Sequence, residues 1–397
     1  MKQCHSNCGG YTVLASCCIT HLIQDGLLAL KYVLLPILAI TFGLNYTQVG
    51  LLRALSNSTT TLLEIPAGIL AEKLGERRLL AAGLMGAGLG YLGVAFASGF
   101  ISIAFFFMVA GAGGAFQHSL SSSVVVKSYD GAARRRSLGI YNSSGDAGKL
   151  AFTILFSSGI GAGLAWNGVV SILAASALIF SAALWFLLKP FESAKGKKHE
   201  RTVTAAGTRN WGVKNWRRFS ALGFMVFLDS TVQSIFLTFL AFVLLEKGAS
   251  PAAASGAVVL ALAGGMMGKF CCGFLAARFG DRNGFILIQI LTMAGIAALV
   301  LVPASPLLII LPLIGLVVQG SSTVTYGSVA DFIEQGHQSR GYSLIYTLVN
   351  CASVAGTFVF GLLADYAGLE PSLWFLALLI FLTLPPSFVL SSVRQNS

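Results

Sequence analysis

Charged residues are scarce in this chain. Of its 397 residues, only 10% are Asp, Glu, Lys or Arg, whereas charged residues make up about a quarter of a typical water-soluble domain. Hydrophobic residues account for 55% of the chain, and they gather in runs of about 20 residues, the length that spans a bilayer as a helix. A water-soluble enzyme or DNA-binding protein is therefore excluded, and the sequence predicts an integral membrane protein embedded in the lipid bilayer.

Acidic residues are the scarcer of the two charged classes. The chain has 15 of them against 26 Lys and Arg, which gives a formal net charge of +11. Most of the basic residues lie in short segments between apolar runs, which is typical of the signals that orient a membrane protein. We therefore expect no nucleic-acid partner.

Cysteine patterns that indicate disulfides or metal binding are missing. Cys4, His5 and Cys8 offer two thiols and one imidazole, which is a weak signal for a metal site. The chain also has no Ser, Cys or metal constellation at a recognisable spacing. The sequence thus predicts that the protein is not an enzyme and uses no cofactor and no metal centre. The seven cysteines are an odd number, and five lie inside apolar runs: Cys17, Cys18, Cys271, Cys272 and Cys351.

Twelve apolar runs are bounded by charged residues or by Gly, Pro and Asn. They lie at 11–39, 46–71, 79–98, 100–126, 136–163, 166–188, 218–245, 251–277, 284–302, 306–330, 340–364 and 371–391. The sequence predicts an all-α membrane protein with twelve transmembrane helices. Two six-helix halves, residues 1–188 and 218–397, are joined by a basic linker at 189–217 that we expect on the cytoplasmic side.

The basic residues divide unequally between the two sides of the membrane. With the N terminus inside, 21 of the 26 Lys and Arg face the cytoplasm, one faces outward and four lie within spans. Because basic residues in short loops stay on the cytoplasmic side, we expect both termini in the cytoplasm and the protein in the cytoplasmic (inner) membrane. Residues 14–17 resemble a lipoprotein cleavage site, but polar residues interrupt the apolar stretch before it, so we expect the first span to be retained.

The two halves share the spacing of unusual residues. Asp25 and Asp229 stand 43 and 44 residues before a glycine that opens a basic loop, Gly68 in the first half and Gly273 in the second. This spacing predicts two parallel six-helix repeats, the arrangement of transporters that rock two halves around a site near the membrane midplane.

The first of these loops carries a family resemblance. Residues 68–78 resemble the signature loop between the second and third helices of the major facilitator superfamily, and residues 273–283 repeat it in degenerate form. The resemblance covers the whole chain and implies the twelve-helix fold of that superfamily. The second loop departs from the pattern, because Ala277 stands where the acidic residue is expected.

A narrower resemblance concerns one branch of the superfamily. Residues 21–25, 116–123 and 140–148 are similar to the fosmidomycin-resistance type of drug exporter. One feature departs from drug/proton antiporters, which often have a Gly-Pro pair in the fifth helix, where this chain has Phe152 and Thr153. The resemblance implies export of a drug, and the departure leaves antiport open.

The resemblance also implies a gating loop. By that resemblance, Glu72 would dock near the N-terminal end of the eleventh helix, where backbone N–H groups favour an anion. Arg77 and Arg78 would hold the loop to acidic neighbours, and breaking these contacts would open the cytoplasmic side. The same basic residues also orient the protein. The loop consists of Gly68, Glu72, Lys73, Gly75, Arg77 and Arg78, with Arg278 in the second half.

Ionisable residues within the spans indicate where function lies, because each costs about 2.5 to 3.5 kcal/mol at the centre of a membrane helix. Carboxylates in a partly desolvated cavity can bind and release protons, so we predict proton coupling by Asp25, Glu64 and Asp229. Fixed cations can bind phosphonate, phosphate or carboxylate groups. The predicted substrate-binding residues are His21, Lys31, Arg53, Gln117, His118, Asn142, Asp146, Lys149, Gln233, Lys269, Gln319 and Asn350.

The same charges permit a structural interpretation. Asp146 and Lys149 lie one turn apart and can pair within their helix, or Asp146 can pair with Lys269 and act as a gate. An intramembrane histidine is more often a helix contact than a proton relay. These alternatives stay open at the level of the sequence.

Together these features predict a monomeric transporter of a small molecule that works by alternating access. The leading hypothesis is proton-coupled export of a small drug-like or anionic compound. Proton-coupled uptake of a small organic anion, such as a carboxylate or a sugar phosphate, fits the basic spans equally well. A membrane sensor that keeps the transporter fold but moves nothing is a further alternative, and the costly intramembrane ions speak against it.

Overall fold

A computed structural model describes residues 2–129, 131–188, 212–334 and 338–390 of the protein. Within these ranges, the side chains at 2–10, 65, 68, 69, 72, 131, 132, 134, 135, 277, 330 and 338–343 lie outside the description. Regular structure in the described residues is helical, apart from one antiparallel bridge between Val213 and Ile333. The predicted all-α architecture is confirmed.

Thirteen α-helices occur in the described ranges. In chain order they are α1 (Lys2–Phe42), α2 (Tyr46–Leu74), α3 (Glu76–Ala95), α4 (Phe100–Gly114), α5 (His118–Ser128), α6 (Gly131–Gly161), α7 (Trp166–Leu187), α8 (Trp216–Glu246), α9 (Pro251–Phe279), α10 (Asp281–Leu301), α11 (Ala304–Ser328), α12 (Gln338–Ala367) and α13 (Leu369–Thr383). Short 3₁₀ helices at Val329–Phe332 and Pro385–Val389 follow α11 and α13.

Ten helical segments in the described part of the chain are long and apolar enough to cross a membrane, when α4 and α5 are taken as one. The two remaining long helices are α2 and α6, with 29 and 31 residues. They would extend about 44 and 47 Å, which exceeds the roughly 30 Å of a bilayer's hydrocarbon core. Both are less apolar because they carry several of the predicted site residues. The twelve predicted spans are thus all occupied by helices.

The predicted fourth span is not one continuous helix. The sequence predicts a single helix over 100–126, but α4 ends at Gly114 and α5 begins at His118. Three glycines in the last turn of α4 weaken the helix there, because only proline is a poorer helix former. Glycine is needed for packing: a Cβ at Gly113 would lie 2.4 Å from the backbone nitrogen of Ala87 in α3. The break places His118 at the start of a new helix.

The last predicted span is also interrupted. The sequence predicts a helix over 371–391, whereas α13 ends at Thr383 and the chain continues as a 3₁₀ helix. The cause is the pair Pro385 and Pro386, which lack the N–H groups that an α-helix needs.

The two halves repeat at a constant spacing. A positive φ is unfavourable for residues that have a side chain, but glycine tolerates it. Glycines with a positive φ therefore mark turns that can be compared between the two halves. These glycines follow the first, second and fifth membrane spans of each half, where α4 and α5 count together as the fourth span of the first half. Gly43, Gly75 and Gly163 have φ of 63°, 87° and 81°, and each is matched 205 residues later by Gly248, Gly280 and Gly368, with φ of 81°, 83° and 90°. The predicted six-helix repeat is confirmed.

Helix packing follows the same order in each half. The first span of each half packs against the fifth, which pairs α1 with α6 and α8 with α12. The third span packs against the sixth, which pairs α3 with α7 and α10 with α13. The chain divides into two compact units, one of residues 1–42 and 55–202 and one of residues 43–54 and 203–397. We call them the N-terminal unit and the C-terminal unit.

The predicted linker is described only at its end, since residues 189–211 lie outside the described ranges. There, Lys214 N donates to the backbone oxygen of Phe332, and Glu334 N donates to that of Gly212, at 3.0 and 2.7 Å. The Asn215 side chain then caps α8 by accepting a hydrogen bond from the backbone N–H of Arg218.

Candidate functional site

Asp25 lies within a cluster of basic side chains in the N-terminal unit. It sits on α1 and is 3% exposed. His21, one helical turn earlier on the same face, places Nε2 at 3.4 Å from Asp25 Oδ2. His118 of α5 places Nε2 at 3.5 Å from Oδ1, and Lys149 of α6 places Nζ at 3.2 Å from Oδ2. A buried carboxylate needs such partners, and four of the predicted residues meet here.

His21 is held in one orientation. Its Nδ1 donates to the backbone oxygen of Tyr141 at 2.8 Å, because that oxygen can only accept. In the neutral ring, Nε2 therefore turns its lone pair toward Asp25. The ring of Tyr141 stacks on the imidazole at 4.3 Å between centroids. Gln117 Nε2 donates to the Tyr141 hydroxyl at 3.1 Å, so this predicted site residue supports the tyrosine that orients His21.

Lys149 bridges two carboxylates. Its Nζ lies 3.2 Å from Asp25 Oδ2 on α1 and 3.2 Å from Asp146 Oδ1 on its own helix. The predicted pair of Asp146 and Lys149 is thus present, and a second pair connects α6 to α1. The side chains of Lys149 and Asp146 are 32% and 23% exposed.

Glycines allow α6 to approach α1 at this point. A Cβ at Gly148 would lie 2.0 Å from the backbone oxygen of Leu22, and a Cβ at Gly145 would lie 2.4 Å from His21 Nε2 and 2.9 Å from Asp25 Oδ2. Any side chain at Gly145 would therefore enter the space between the imidazole and the carboxylate.

A small cavity adjoins the cluster. Its volume is about 30 Å³, enough for one or two water molecules. Lys31 reaches it from α1 and is 1% exposed; its Nζ donates to Ser56 Oγ at 2.9 Å and to Asn57 Oδ1 at 3.3 Å. Asp25 Oδ1 is buried and has no hydrogen-bond partner in the described part of the chain. The polar lining consists of Gln24, Asp25, Lys31, Ser56, Thr60 and His118.

Asp229 lies at the corresponding position of the C-terminal unit, on α8, and is 5% exposed. Its Oδ2 accepts from Gln233 Nε2 at 2.8 Å, and its Oδ1 accepts from Gln289 Nε2 at 2.9 Å. The Ser321 hydroxyl donates to the same carboxylate, 2.8 Å from Oδ1. Among the described residues, no basic side chain lies within ion-pair distance of Asp229. The hydrogen bonds to its carboxylate thus come from uncharged donors.

Two partners of Asp229 were missed from the sequence, although signals for both exist. Ser321 follows Asp229 by 92 residues and His118 follows Asp25 by 93, so extending the repeat would have found it. Gln289 is a lone polar residue within the apolar run 285–291. A polar residue inside a membrane is costly unless it has a polar partner, so its position indicates a functional site.

The remaining predicted site residues are spread over other helices. Arg53 is buried in the first turns of α2. Glu64, further along α2, is half-buried and forms no ion pair within the described residues. Gln319 donates to the backbone oxygen of Ala261 at 3.1 Å, which ties α11 to α9. Exposed or half-buried positions on α6, α9 and α12 hold Asn142, Lys269 and Asn350.

The predicted gating loop is a tight turn around Gly75. Arg77 is 8% exposed, and its guanidinium lies 4.6 Å from the ring centroid of Trp185, an arrangement typical of cation–π contacts. The neighbouring Glu76 forms an ion pair with Lys127 at the end of α5. Lys73, Arg78 and Arg278 are exposed. The structure does not describe the side chain of Glu72 or the burial of Gly68. The docking of Glu72 therefore stays a prediction.

The repeat preserves this turn in the C-terminal unit. Asp281 follows Gly280 as Glu76 follows Gly75, and its Oδ2 accepts a hydrogen bond from Ser328 Oγ at 3.3 Å. In both units an acidic residue at the start of the third helix thus contacts the end of the fourth span.

Comparison with known proteins finds a matching family and two similar curated proteins. The model of the Major Facilitator Superfamily matches residues 17–222 and 221–396. The uncharacterized MFS-type transporter YfnC of Bacillus subtilis (strain 168) is 29% identical over 398 residues, which cover 93% of this chain and 90% of that protein. The class G tetracycline resistance protein of Vibrio anguillarum is 34% identical over 155 residues, 38% of either chain.

Solved structures have the same fold. A bacterial homologue of the human lysosomal transporter Spinster, inward-facing and unoccupied, matches with a TM-score of 0.81 at 16% identity over 96% of each chain. The nucleoside transporter NupG matches with a TM-score of 0.76 at 12% identity, over 95% of this chain and 97% of that one. At these identities the likeness concerns the fold alone, and the predicted likeness to fosmidomycin-resistance exporters stays a prediction.

Proposed function

This chain belongs to the Major Facilitator Superfamily, and on that premise we propose that it exports a small drug-like or anionic compound in exchange for protons. The family and fold make it a multi-pass membrane transporter and not an enzyme. The proposal adds the proton carrier, the substrate-facing groups and the direction. It also places a monomer in the inner membrane with both termini in the cytoplasm, in keeping with the unequal distribution of basic residues.

The observation that carries the proposal is the surroundings of Asp229. Gln233, Gln289 and Ser321 donate hydrogen bonds to its buried carboxylate, and all three are neutral. Neutral donors only partly offset the cost of a buried charge. A proton would remove that cost, and exposure of the carboxylate first to one side of the membrane and then to the other would load and release it. We therefore assign proton coupling to Asp229 first among the three predicted carboxylates.

The substrate-facing role falls to the cluster around Asp25. Lys149 is partly exposed and shared between two carboxylates, so its ammonium can meet an acidic group of a substrate without leaving Asp146. The half-exposed His118 adds a hydrogen-bonding ring beside it. A compound with an acidic group and an apolar body would suit this cluster and the apolar helices around it.

Direction and substrate class are supported by one relative. The Vibrio anguillarum protein is named for tetracycline resistance, and its similarity over 155 residues favours a drug-like compound over a nutrient. Uptake of a small organic anion is the second candidate, because Lys149 would serve that substrate equally well.

The test uses everted membrane vesicles with an imposed proton gradient and a pH-sensitive dye. Cationic drugs, phosphonates and small carboxylates are added in turn to vesicles that contain wild type, Asp229→Asn or Asp331→Asn. The last is the matched control, because Asp331 is an exposed carboxylate outside the site. We expect one compound class to dissipate the gradient with wild type and Asp331→Asn, and with Asp229→Asn no more than in empty vesicles.

Other outcomes discriminate between the alternatives. If Asp229→Asn dissipates the gradient as wild type does, Asp229 is not the proton carrier. If no compound acts in everted vesicles but labelled carboxylates accumulate in right-side-out vesicles, the protein is an importer. If neither preparation shows flux above empty vesicles for any compound, the transport proposal fails in favour of a membrane sensor.

A further inference from the structure

We propose that His21, Asp25 and His118 form a binding site for a divalent transition cation such as zinc, within the N-terminal unit. One ring nitrogen from each histidine and one oxygen of the carboxylate lie within 4.8 Å of one another. The proposal does not rest on the proton-coupled export of a drug, because binding of the cation can be measured on the purified protein without a substrate.

The distances suit a tetrahedral metal site. Zinc binds imidazole nitrogen and carboxylate oxygen at about 2.0 to 2.2 Å, so neighbouring ligand atoms of a tetrahedron lie about 3.4 Å apart. His21 Nε2 is 3.4 Å from Asp25 Oδ2, and His118 Nε2 is 3.5 Å from Asp25 Oδ1. These two distances end on different oxygens of the carboxylate, so rotation of the His118 side chain, which is 49% exposed, would bring both ring nitrogens to one ion.

His21 is already oriented as a metal ligand. Its Nδ1 donates to the backbone oxygen of Tyr141, so in the neutral ring Nε2 carries the lone pair that would bind the ion. A hydrogen bond from the second ring nitrogen to a carbonyl is the usual support of metal-binding histidines. Tyr141 is fixed in turn by its own contacts with the His21 ring and with Gln117.

Asp25 offers an oxygen that faces His118 but accepts no hydrogen bond from the described residues. The side chain is almost completely buried, and its Oδ1 has no hydrogen-bond partner among the described residues. Native structures rarely leave a buried acceptor unsatisfied, so such an atom points to a ligand. The adjoining cavity has room for one or two waters, which would complete the coordination of an exchangeable ion.

Gly145 keeps the space between the ligands open. A Cβ at this position would lie 2.4 Å from His21 Nε2 and 2.9 Å from Asp25 Oδ2, at the place where an ion bound to both would sit. Another glycine on the same helix, Gly139, faces open space, which provides a control for substitution.

Lys149 is the group that a cation must displace. Its ammonium lies 3.2 Å from Asp25 Oδ2, but it is equally close to Asp146. It can therefore release Asp25 and remain paired within α6. The metal and the lysine then compete for one carboxylate, and removing the lysine charge should tighten metal binding.

The test is cobalt binding to the purified full-length protein with the affinity tag removed. All variants carry Cys4→Ser, His5→Gln and Cys8→Ser, which remove the two thiols and the imidazole at positions 4–8. We expect one Co²⁺ per chain with the visible absorption of a tetrahedral site, displaced by Zn²⁺. His21→Gln and His118→Gln should each weaken binding by at least the ~10- to 100-fold that loss of a supporting group costs a metal site.

Two further sets of variants keep the test decisive. His199→Gln and His337→Gln are matched controls that remove the two histidines that the proposal does not use, and both should bind as the parent does. Lys149→Gln should bind Co²⁺ about 10-fold more tightly or better, because a neighbouring positive charge is gone, and misfolding cannot produce such a gain. The proposal is overturned if His21→Gln and His118→Gln bind like the parent, if the controls lose binding equally, or if Lys149→Gln binds no more tightly.

Discussion

Lys149 Nζ lies 3.2 Å from Asp25 Oδ2 on another helix, and at the same distance from Asp146 Oδ1 one turn away on its own helix. A cation shared in this way can exchange one partner and keep the other. This exchange would allow a ligand to replace Lys149 at Asp25 reversibly, with the lysine pairing with Asp25 again after the ligand leaves. Asp229 has no comparable cation among the described residues, which is why we assign different roles to two carboxylates at equivalent positions of the repeat.

The first prediction concerns the stability of this cluster. Lys149→Gln should lower the free energy of unfolding by about 3 kcal/mol, since it leaves the buried Asp25 carboxylate without its ammonium partner. We choose the lower end of the usual range because the lysine side chain is 32% exposed. Chemical denaturation in detergent measures the change. The double variant Asp25→Asn with Lys149→Gln should recover part of it. A total loss in the double variant equal to the sum of the losses in the two single variants would show that the two groups do not interact.

The second prediction uses two glycines of α6. Gly145→Ala should abolish transport and lower the melting temperature, because its Cβ would lie within 3 Å of both His21 and Asp25. Gly139→Ala should leave transport unchanged and stabilise the protein by up to about 1 kcal/mol, since a Cβ there meets nothing within 4 Å and alanine favours a helix. Equal transport by the two variants would show that the close approach of α6 to α1 is not needed.

The sequence predicted the fold better than it predicted the contacts. Apolar runs and repeated spacing are properties of single segments, so they located the helices and the repeat. Asp25, His118 and Lys149 were recognised because ions inside a membrane are costly, but their meeting depends on the break before α5 and on the glycines of α6. Neither feature has a periodic signal.

The partners of Asp229 show the other limit of the sequence. Gln289 and Ser321 are neutral, so they do not stand out by charge. The role of each is apparent only in the folded structure, where Gln289 of α10 and Ser321 of α11 donate to the same carboxylate of α8. Glu64 shows the reverse case. Its charge led to its prediction as a proton-coupling residue, but it is only half-buried on α2.

The third prediction concerns the start of α2 within the C-terminal unit. Asp365 accepts hydrogen bonds from the backbone N–H groups of Tyr46 and Thr47, at 2.9 and 2.8 Å. It thus acts as a cap supplied by another helix, where an anion also favours the helix dipole. Asp365→Ala should destabilise the protein by about 1 to 2 kcal/mol, measured by thermal unfolding. The exposed Asp331→Ala serves as control, and an equal effect of both would mean that the cap contributes nothing specific.

The fourth prediction compares the two turns that follow the second helix of each half. Lys127→Met should cost about 1 kcal/mol, because Glu76 is buried while the lysine is half exposed. Ser328→Ala removes the equivalent contact to Asp281, a long hydrogen bond from an uncharged donor, and should cost about 0.5 to 1 kcal/mol. High salt should reduce the first effect more than the second, because only the first joins two charges. Thermal unfolding at two ionic strengths separates the two cases, and equal salt dependence of both would contradict the assignment.

The most direct test of the central claim is to compare two modes of transport in proteoliposomes that contain Asp229→Asn. The labelled compound is the one that the vesicle panel identifies. Counterflow, in which labelled and unlabelled compound exchange without net proton movement, should persist in the variant. Accumulation driven by a pH gradient should be lost, because the proton carrier is missing. If Asp229→Asn still accumulates the compound against its gradient when only a pH gradient is imposed, proton coupling through Asp229 is contradicted.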